Sequence, residues 1–399
     1  MIMIKVILKK GREESLLRFH PWVFSGAIAQ IQGKPAEGDI VAVHAADGSY
    51  LAAGHYQIGS IAVRILSFDS DPQAPDFWVK AISSALNLRL ATGLYSEDGN
   101  TSCFRLIHGE GDGLPGLIID WYDGVCVLQA HSVGMFRSKN RICEALKEVF
   151  GDRLKAVYDK SSGTAPFKAG LELIDGYIYK KEGFDANECV VSENGRKFIV
   201  NWVEGQKTGF FLDQRDNRAL VGKYAAGKKV LNLFCYTGGF SIYALTAGAE
   251  CVDSVDSSAK AISLVDKNVE LNGVASRHTS ICTDAIEYLG KVEEGKYDLM
   301  IVDPPAFAKH RGALRNALRA YQRLNAAAIA KVKPGGLVFT FSCSQVVDKI
   351  MFANAVFSAA AQTGRSVRII DRLCQGCDHP VSIYHPEGEY LKGLLLYVE

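Results

Sequence analysis

The sequence carries almost no excess charge. Forty-five lysines and arginines face 44 aspartates and glutamates, a formal net charge of +1. Bulk electrostatics therefore does not hold this chain to a polyanion, and a nucleic-acid partner has to be met by local basic patches. No apolar run approaches the ~20 residues of a membrane-spanning helix. Met1 to Lys10 is a short apolar stretch ending in Lys9-Lys10, not the h-region and cleavage site of a secretory leader. Tandem repeats and low-complexity tracts are absent. The ten cysteines are scattered along the chain and do not form the dense framework of a small disulfide scaffold. These absences predict a reduced, cytoplasmic protein without membrane association.

What is present is length and apolar content. With 399 residues, 48% of them hydrophobic, the chain can fill two or three cores at roughly 100 to 200 residues per domain. Residues 1–72 alternate apolar and polar positions between glycines, as in Gly38-Asp39-Ile40-Val41-Ala42-Val43, and predict a small β-rich barrel. Asp69 to Pro75, rich in proline and acidic residues, reads as a linker. Residues 73–182 predict a mixed α+β segment, with helices over Phe77 to Thr92 and Phe136 to Phe150. From 183 to 399 short β-branched runs alternate with helical patterns, the signature of an α/β doubly wound sheet. Its seven predicted strands are Lys229 to Phe234, Glu250 to Asp256, His278 to Cys282, Asp298 to Val302, Leu337 to Ser342, Val367 to Leu373 and Gly393 to Val398.

Ligands of such sheets bind at the carboxyl ends of the strands. The first strand runs through Asn232 and Phe234 into Thr237-Gly238-Gly239-Phe240, a glycine turn opening a helix. The turn has neither the Gly-x-Gly-x-x-Gly of dinucleotide folds nor the Lys-Ser/Thr of a P-loop, which disfavours a phosphate-bearing cofactor. The second strand ends in Asp256, followed by Ser257, where a carboxylate can accept both hydroxyls of a ribose. Asp284 after the third strand is placed for an adenine amine, and Asp303 closes the fourth. Acids in this register point to S-adenosyl-L-methionine, which carries a ribose and a sulfonium but no phosphate. Each aspartate taken singly reads equally well as a helix cap.

With these motifs the chain resembles the RlmI family of 23S ribosomal RNA cytosine-C5 methyltransferases over nearly its whole length. The resemblance is carried by His20 to Gly26, Arg105 to Glu110 with Gly113 to Gly116, Gly205 to Arg215, the glycine turn, Asp303-Pro304-Pro305, Ser342-Cys343-Ser344 and Asp378-His379-Pro380. It implies an N-terminal PUA domain, a central α+β domain and a Rossmann-like class I methyltransferase domain whose last strand is antiparallel. It also implies that Gln206, Thr208, Asp213 and Arg215 shape the cofactor pocket from outside the sheet. In one departure from the family pattern, Ala306 stands where a lysine usually follows the two prolines, so Lys309 or a water must take over any part that lysine plays.

Carbon 5 of cytosine is a poor nucleophile, and methylating it requires a thiolate to add first at carbon 6. Cys343, following the apolar strand at the carboxyl edge, is the candidate nucleophile, and Asp303 the candidate group to hold a proton at ring N3. Pro304 and Pro305 occupy the place where many RNA cytosine-C5 enzymes carry a second cysteine, so the base that removes the carbon-5 proton is not apparent. Cys126, Cys143, Cys235, Cys251 and Cys282 read as small buried hydrophobes. Cys374-Gln375-Gly376-Cys377 lacks a second pair or nearby histidines, and no metal is expected there. His379 reads as a structural histidine before a turn proline, or as part of a base pocket.

RNA of the large ribosomal subunit is the expected partner. Lys9, Lys10, Arg12 and Arg18, and Arg311, Arg315, Arg319 and Arg323 at four-residue spacing, are candidate phosphate contacts or plain solvated surface. A homodimer is left open. Two rival readings remain. Asp303-Pro304-Pro305-Ala306-Phe307 approaches the pattern of enzymes that methylate an exocyclic nitrogen of guanine or adenine, which would not need Cys343. A non-catalytic RNA-binding ribosome-assembly protein would not need the cofactor acids. A small-molecule methyltransferase would leave the N-terminal domains without an evident purpose.

Overall fold

In a computed structural model the described residues are 4–95, 99–166, 170–308 and 310–399. The chain divides into two compact units. One takes Met1–Val191, Val200–Phe210 and Cys377–Gly388, and the other Ser192–Ile199, Phe211–Gly376 and Glu389–Glu399.

The first unit holds two sheets. Alternating sequence in the first seventy residues builds a six-stranded sheet in the order Trp22–Phe24, Ile61–Ser67, Tyr50–Tyr56, Ile40–His44, Ile4–Leu8, Ile28–Gln32. Its pairings are antiparallel except for Ile4–Leu8 with Ile40–His44. One apolar cluster, including Val6, Val41, Val43, Val63 and Ile65, fills it. The second sheet orders Gly176–Lys180, Ala156–Asp159, Val125–Ala130, Leu117–Tyr122 and Cys103–His108. Helices Phe77–Ala91 and Val133–Phe150 share its core. Both were expected, the second three residues shorter at its start. Ser132 supplies that extra turn by accepting from Met135 N, a capping arrangement the periodicity of apolar residues does not show.

The second unit is a seven-stranded α/β sheet. Its elements are α1 (Arg215–Ala225), β1 (Lys229–Leu233), α2 (Gly239–Thr246), β2 (Cys251–Asp256), α3 (Ala259–Leu271), β3 (His278–Cys282), α4 (Ala285–Lys291), β4 (Tyr297–Val302), α5 (Leu314–Lys331), β5 (Val332–Ser342), α6 (Lys349–Thr363), β6 (Val367–Leu373) and β7 (Lys392–Val398). The strand order is β3-β2-β1-β4-β5-β7-β6. β7 runs antiparallel to both neighbours, and the pairings β3-β2, β2-β1, β1-β4 and β4-β5 are parallel. The expected architecture, a Rossmann-like sheet with its last strand antiparallel, is the one observed. The buried run Leu231, Leu233, Met300, Val302, Val338, Leu394 and Leu396 forms much of its core with α5 and α6.

Two elements lie outside the expected set. Glu188–Glu193 and Arg196–Asn201 form a two-stranded ribbon. It turns at Asn194-Gly195, where both φ angles are positive (49° and 77°), as a two-residue primed turn requires. The other is α1. Its buried face consists of Arg215, Asn217, Arg218, Val221 and Ala225, so it has no apolar stripe to announce a helix.

Candidate active site

One row of paired residues crosses the sheet just inside its carboxyl edge: Ile281, Val255, Leu233, Val302, Thr340 and Leu394. Asp284, Asp256, Phe234, Asp303 and Cys343 follow their strands' members of this row by one to three positions. Asp303 and Cys343 therefore leave adjacent strands, whose axes lie about 4.8 Å apart.

The turn after β1 is held in an unusual backbone. Phe234, Tyr236 and Gly238 all have positive φ (58°, 47° and 79°), a region that non-glycine residues seldom enter. Two groups offset that strain. Asp256 Oδ2 accepts from Tyr236 N at 3.0 Å, and its Oδ1 accepts from Ser258 N at 2.9 Å. Tyr236 also meets Phe211 edge to face, with ring centroids 5.1 Å apart. At Gly238 a Cβ would come within 2.9 Å of Val265 Cγ1, so both its φ and the packing of α3 require glycine. Asn232 is buried in a polar chain under the sheet: its Nδ2 donates to Ser241 Oγ at 2.8 Å, Ser241 meets Ser254 at 2.6 Å, and Ser254 meets His278 Nε2 at 2.7 Å. Burial lowers the pKa of His278, favouring the neutral ring.

Thr237 sits inside the turn, 2% exposed, and its Oγ1 has no hydrogen-bond partner among the described residues. Buried hydroxyls are normally satisfied, so this one suits a ligand polar atom at the opening of α2. Asp256 is only half-buried and each of its oxygens can accept again. No lysine or arginine lies in 234–240. The donor set thus fits a nucleoside cofactor without phosphate. Gly239 and Phe240 continue the turn into α2, and Phe240 packs on Phe341 of β5 at 5.6 Å. Ser257 is exposed beside Asp256. Asp284 caps α4, its Oδ1 accepting from Ile286 N and Glu287 N at 2.9 Å each.

The segment entering α1 is tied to the same edge. Gln214 Nε2 donates to Asp303 Oδ2 at 3.0 Å, while Gln214 Oε1 accepts from Asn217 at 2.6 Å. Asp213 Oδ2 accepts from the Tyr390 hydroxyl at 2.6 Å. Arg215 lies 3.4 Å from Glu193, which also takes both Nε and Nη2 of Arg218 at 2.8 and 2.7 Å. Glu193, Gln214 and Tyr390 had no place in the sequence-based site, because only the fold brings them to it.

Gln206 and Thr208 lie in the first unit. Gln206 is exposed. Thr208 is 1% exposed and its hydroxyl is engaged by Asp120 Oδ2 at 2.5 Å and the Tyr122 hydroxyl at 3.0 Å. That pair belongs to a buried network in which Arg105 forks onto Asp120 (2.8 and 2.9 Å), Arg89 pairs with Asp112, and Asp378 Oδ2 accepts from Arg105 N at 2.9 Å. His379 Nδ1 meets Asp378 Oδ1 at 3.0 Å, and its ring lies 4.9 Å from that of His108. Of the two roles considered for His379, this placement is the structural one. Three sequence motifs that stand far apart thus close into one charged core.

Cys343 is half-buried between Ser342 and Ser344, both fully buried. Ser344 Oγ meets Ala308 N at 3.3 Å and the Tyr321 hydroxyl at 3.0 Å, so the loop after Asp303 and helix α5 both brace the thiol's neighbour. Lys392 of β7, 5% exposed, donates to Ser344 O and Tyr390 O at 2.7 Å each. Its sequence signal was a lysine inside the apolar run Leu391 to Leu396. Lys309 lies outside the described residues.

Among the other cysteines, Cys126, Cys143 and Cys235 are buried, and burial pushes their thiols up, to about 11 for Cys143. Two expectations are corrected. Cys251 is only partly buried and Cys282 is exposed; Cys282 ends the edge strand β3, which has a neighbour on one side only. Cys374 and Cys377 are exposed as well. Among the described residues one trio, His20, His385 and Glu387 in the first unit, has potential metal-ligand atoms within 4.8 Å of one another. His20 Nε2 lies 3.9 Å from Glu387 Oε1, and His385 Nε2 3.8 Å from Glu387 Oε2. All eight candidate basic residues, from Lys9 to Arg18 and from Arg311 to Arg323, are exposed. No helix among the described residues is long and apolar enough to cross a membrane.

Residues 167–395 match the family of S-adenosylmethionine-dependent methyltransferases, and residues 6–68 match a PUA-like domain. The chain is a member of that methyltransferase family, with S-adenosylmethionine as its cofactor. It is 40% identical to ribosomal RNA large subunit methyltransferase I of Aeromonas hydrophila over 397 residues, 98% of each chain. Identity to the protein of that name from Klebsiella pneumoniae is 39%, over 98% of this chain and 97% of that one. Within the class, then, it belongs to the ribosomal RNA large subunit methyltransferase I family. A solved structure of a proposed methyltransferase complexed with SAH shares the fold, with a TM-score of 0.83 at 21% identity, covering 99% of this chain and all of the other. A second, from Streptococcus mutans, has a TM-score of 0.82 at 21% identity with the same coverage.

Proposed function

We propose that this enzyme forms 5-methylcytosine in 23S ribosomal RNA of the large subunit, in the cytoplasm, with Cys343 as the nucleophile. The observation that carries the reading is the position of Cys343, a half-buried thiol just past the carboxyl end of β5, the strand next to the one that Asp303 follows, and clamped between two buried serines. An enzyme that methylates an exocyclic nitrogen has no use for a thiol held in this way.

The cofactor supplies an electrophilic methyl group. Asp256 is the residue to take the ribose hydroxyls and Thr237 the one to meet a second polar group of the nucleoside, with Asn232, Phe234, Gly238, Gly239, Phe240, Ser257, Asp284, Asp213 and Arg215 shaping the turn and its surround. Gln206 and Thr208 complete the set expected from the family resemblance. Cys343 loses its proton and its sulfur bonds to carbon 6 of cytosine, which places electron density on carbon 5. Asp303, steadied by Gln214, holds a proton at ring N3 as charge develops there. Once carbon 5 has been methylated, loss of its proton and cleavage of the sulfur–carbon bond restore the aromatic ring and the thiol. Residues 1–72 are the barrel proposed to meet RNA through Lys9, Lys10, Arg12 and Arg18, 73–182 are the central α+β domain, and 183–399 are the catalytic domain, on which Arg311, Arg315, Arg319 and Arg323 are further candidate phosphate contacts. A homodimer is the assembly that light scattering would test.

Methyl transfer to 23S RNA by Cys343→Ala is expected to fall on the order of 10⁴-fold or more, as for other nucleophile deletions. RNA carrying 5-fluorocytosine should trap a covalent adduct on wild type alone, because fluorine cannot leave as a proton does. Unchanged turnover of the variant would sink the carbon-5 mechanism in favour of exocyclic-nitrogen methylation. Absence of cofactor binding in calorimetry would favour a non-catalytic assembly protein.

A further inference from the structure

We propose that Lys392 is a positioning residue for Cys343: its ammonium group fixes the backbone around the thiol and supplies the positive charge that holds the sulfur as a thiolate. The inference rests on the reading of Cys343 as the nucleophile.

Lys392 opens β7 directly across from Ser342, the residue before Cys343. Its ammonium reaches past that pairing to the carbonyl of Ser344, the residue after Cys343, and to the carbonyl of Tyr390, both at 2.7 Å. It thus brackets the cysteine from both sides. The side chain is buried, yet among the described residues it forms no ion pair. A buried ammonium held only by neutral carbonyls is expensive to keep, and an anion beside it would offset that cost. The acidic groups that act on it are Cys343, Asp348 and Glu389, with Cys343 foremost. Glu389 is already paired with Lys349 at 2.5 Å, and Asp348 caps α6 by accepting from Met351 N. From α5, Tyr321 faces the same loop, its hydroxyl on Ser344 Oγ. Cys343 is the remaining anion. Its S–H bond ionises, the proton leaves to solvent, and the electron pair stays on sulfur for addition to carbon 6. Burial lowers the lysine itself to about 8, so it is still mainly charged at neutral pH.

Iodoacetamide alkylation followed peptide by peptide, across about pH 5 to 9, reads the thiolate fraction of each cysteine separately. In the wild-type protein Cys343 is expected to alkylate with a midpoint at lower pH than the exposed Cys282. In Lys392→Met the Cys343 rate near pH 6 should fall about tenfold or more, with Cys282 unchanged and with Lys392→Arg retaining most of the effect. A wild-type Cys343 midpoint at or above that of Cys282 overturns the proposal without any variant, which covers the case in which Lys392→Met fails to fold. A folded Lys392→Met with an unshifted Cys343 profile also overturns it. Methyl transfer that survives Cys343→Ala refutes the underlying nucleophile reading; methyl transfer that requires Cys343 but ignores Lys392 refutes only this inference.

Discussion

Replacing Glu193 with glutamine keeps the shape of the side chain and removes one negative charge from a fully buried position. Arg215 and Arg218, each 2% exposed, would then share a dry site without the carboxylate that pairs them. Two charge-assisted hydrogen bonds to Arg218, at about 1.5–3 kcal/mol each, amount to ~3–6 kcal/mol. Breaking one side of a buried ion pair costs ~3–5 kcal/mol by mutational precedent, and the two figures agree. For a unit of this size that corresponds to a fall in Tm of roughly 6–20 °C. Urea unfolding of wild type and variant measures it. Methyl transfer should fall too, because α1 begins right after Gln214, whose amide steadies Asp303. The double variant Glu193→Leu/Arg218→Met removes two charges together and should recover part of the loss. A change below about 1 kcal/mol for Glu193→Gln would refute the claim that this carboxylate holds α1 in place.

Three further outcomes follow from the same edge of the sheet. Asp256→Asn should weaken S-adenosylmethionine binding by roughly 10- to 100-fold in calorimetry, the worth of one charge-assisted hydrogen bond; a change under about twofold would remove Asp256 from the cofactor site. Gly393→Ala would set a methyl group 2.6 Å from Phe341 Cδ1 and 2.9 Å from Leu373 Cβ, so denaturation should show about 1–3 kcal/mol of overpacking, with no loss if β7 has room to shift. Lys392 titrates at about 8 in the fold against an ordinary 10.5, so between those values the unfolded chain binds more protons. Its contribution to stability therefore rises with pH across that window, and below about pH 8 its full cost of about 3 kcal/mol applies. The stability of wild type relative to Lys392→Leu should accordingly rise as pH is raised from 8 toward 10.5, whichever of the two is the more stable at pH 8, and a constant difference would refute the assigned burial.

Much of the α/β sheet was legible because each strand is a short apolar run between turn residues, and β3 and β6 begin and end where the sequence places them. The Asn194-Gly195 hairpin went unread although its dipeptide favours primed turns, because its flanking strands carry too little alternation to stand out. α1 was hidden for a stronger reason: the side chains it buries are two arginines and an asparagine, and their partner Glu193 lies 22 residues before Arg215. The site was legible as a set of strand ends. What sequence could not supply was register, and register is what sets Lys392 across from Ser342 and Asp303 beside β5. Asp284 shows the converse, since its capping bonds would look the same with or without a cofactor.

The charged core of the first unit also sets an order of events during synthesis. Arg89 and Arg105 leave the ribosome 289 and 273 residues ahead of Asp378, whose carbonyl receives Arg89 and whose carboxylate receives Arg105 N. Until then two buried arginines lack part of their coordination, and the amino-terminal sheets wait in an incomplete state while nearly three hundred residues are added behind them. The newly made chain thus cannot complete the charged core of its first unit before most of the second unit has been synthesised.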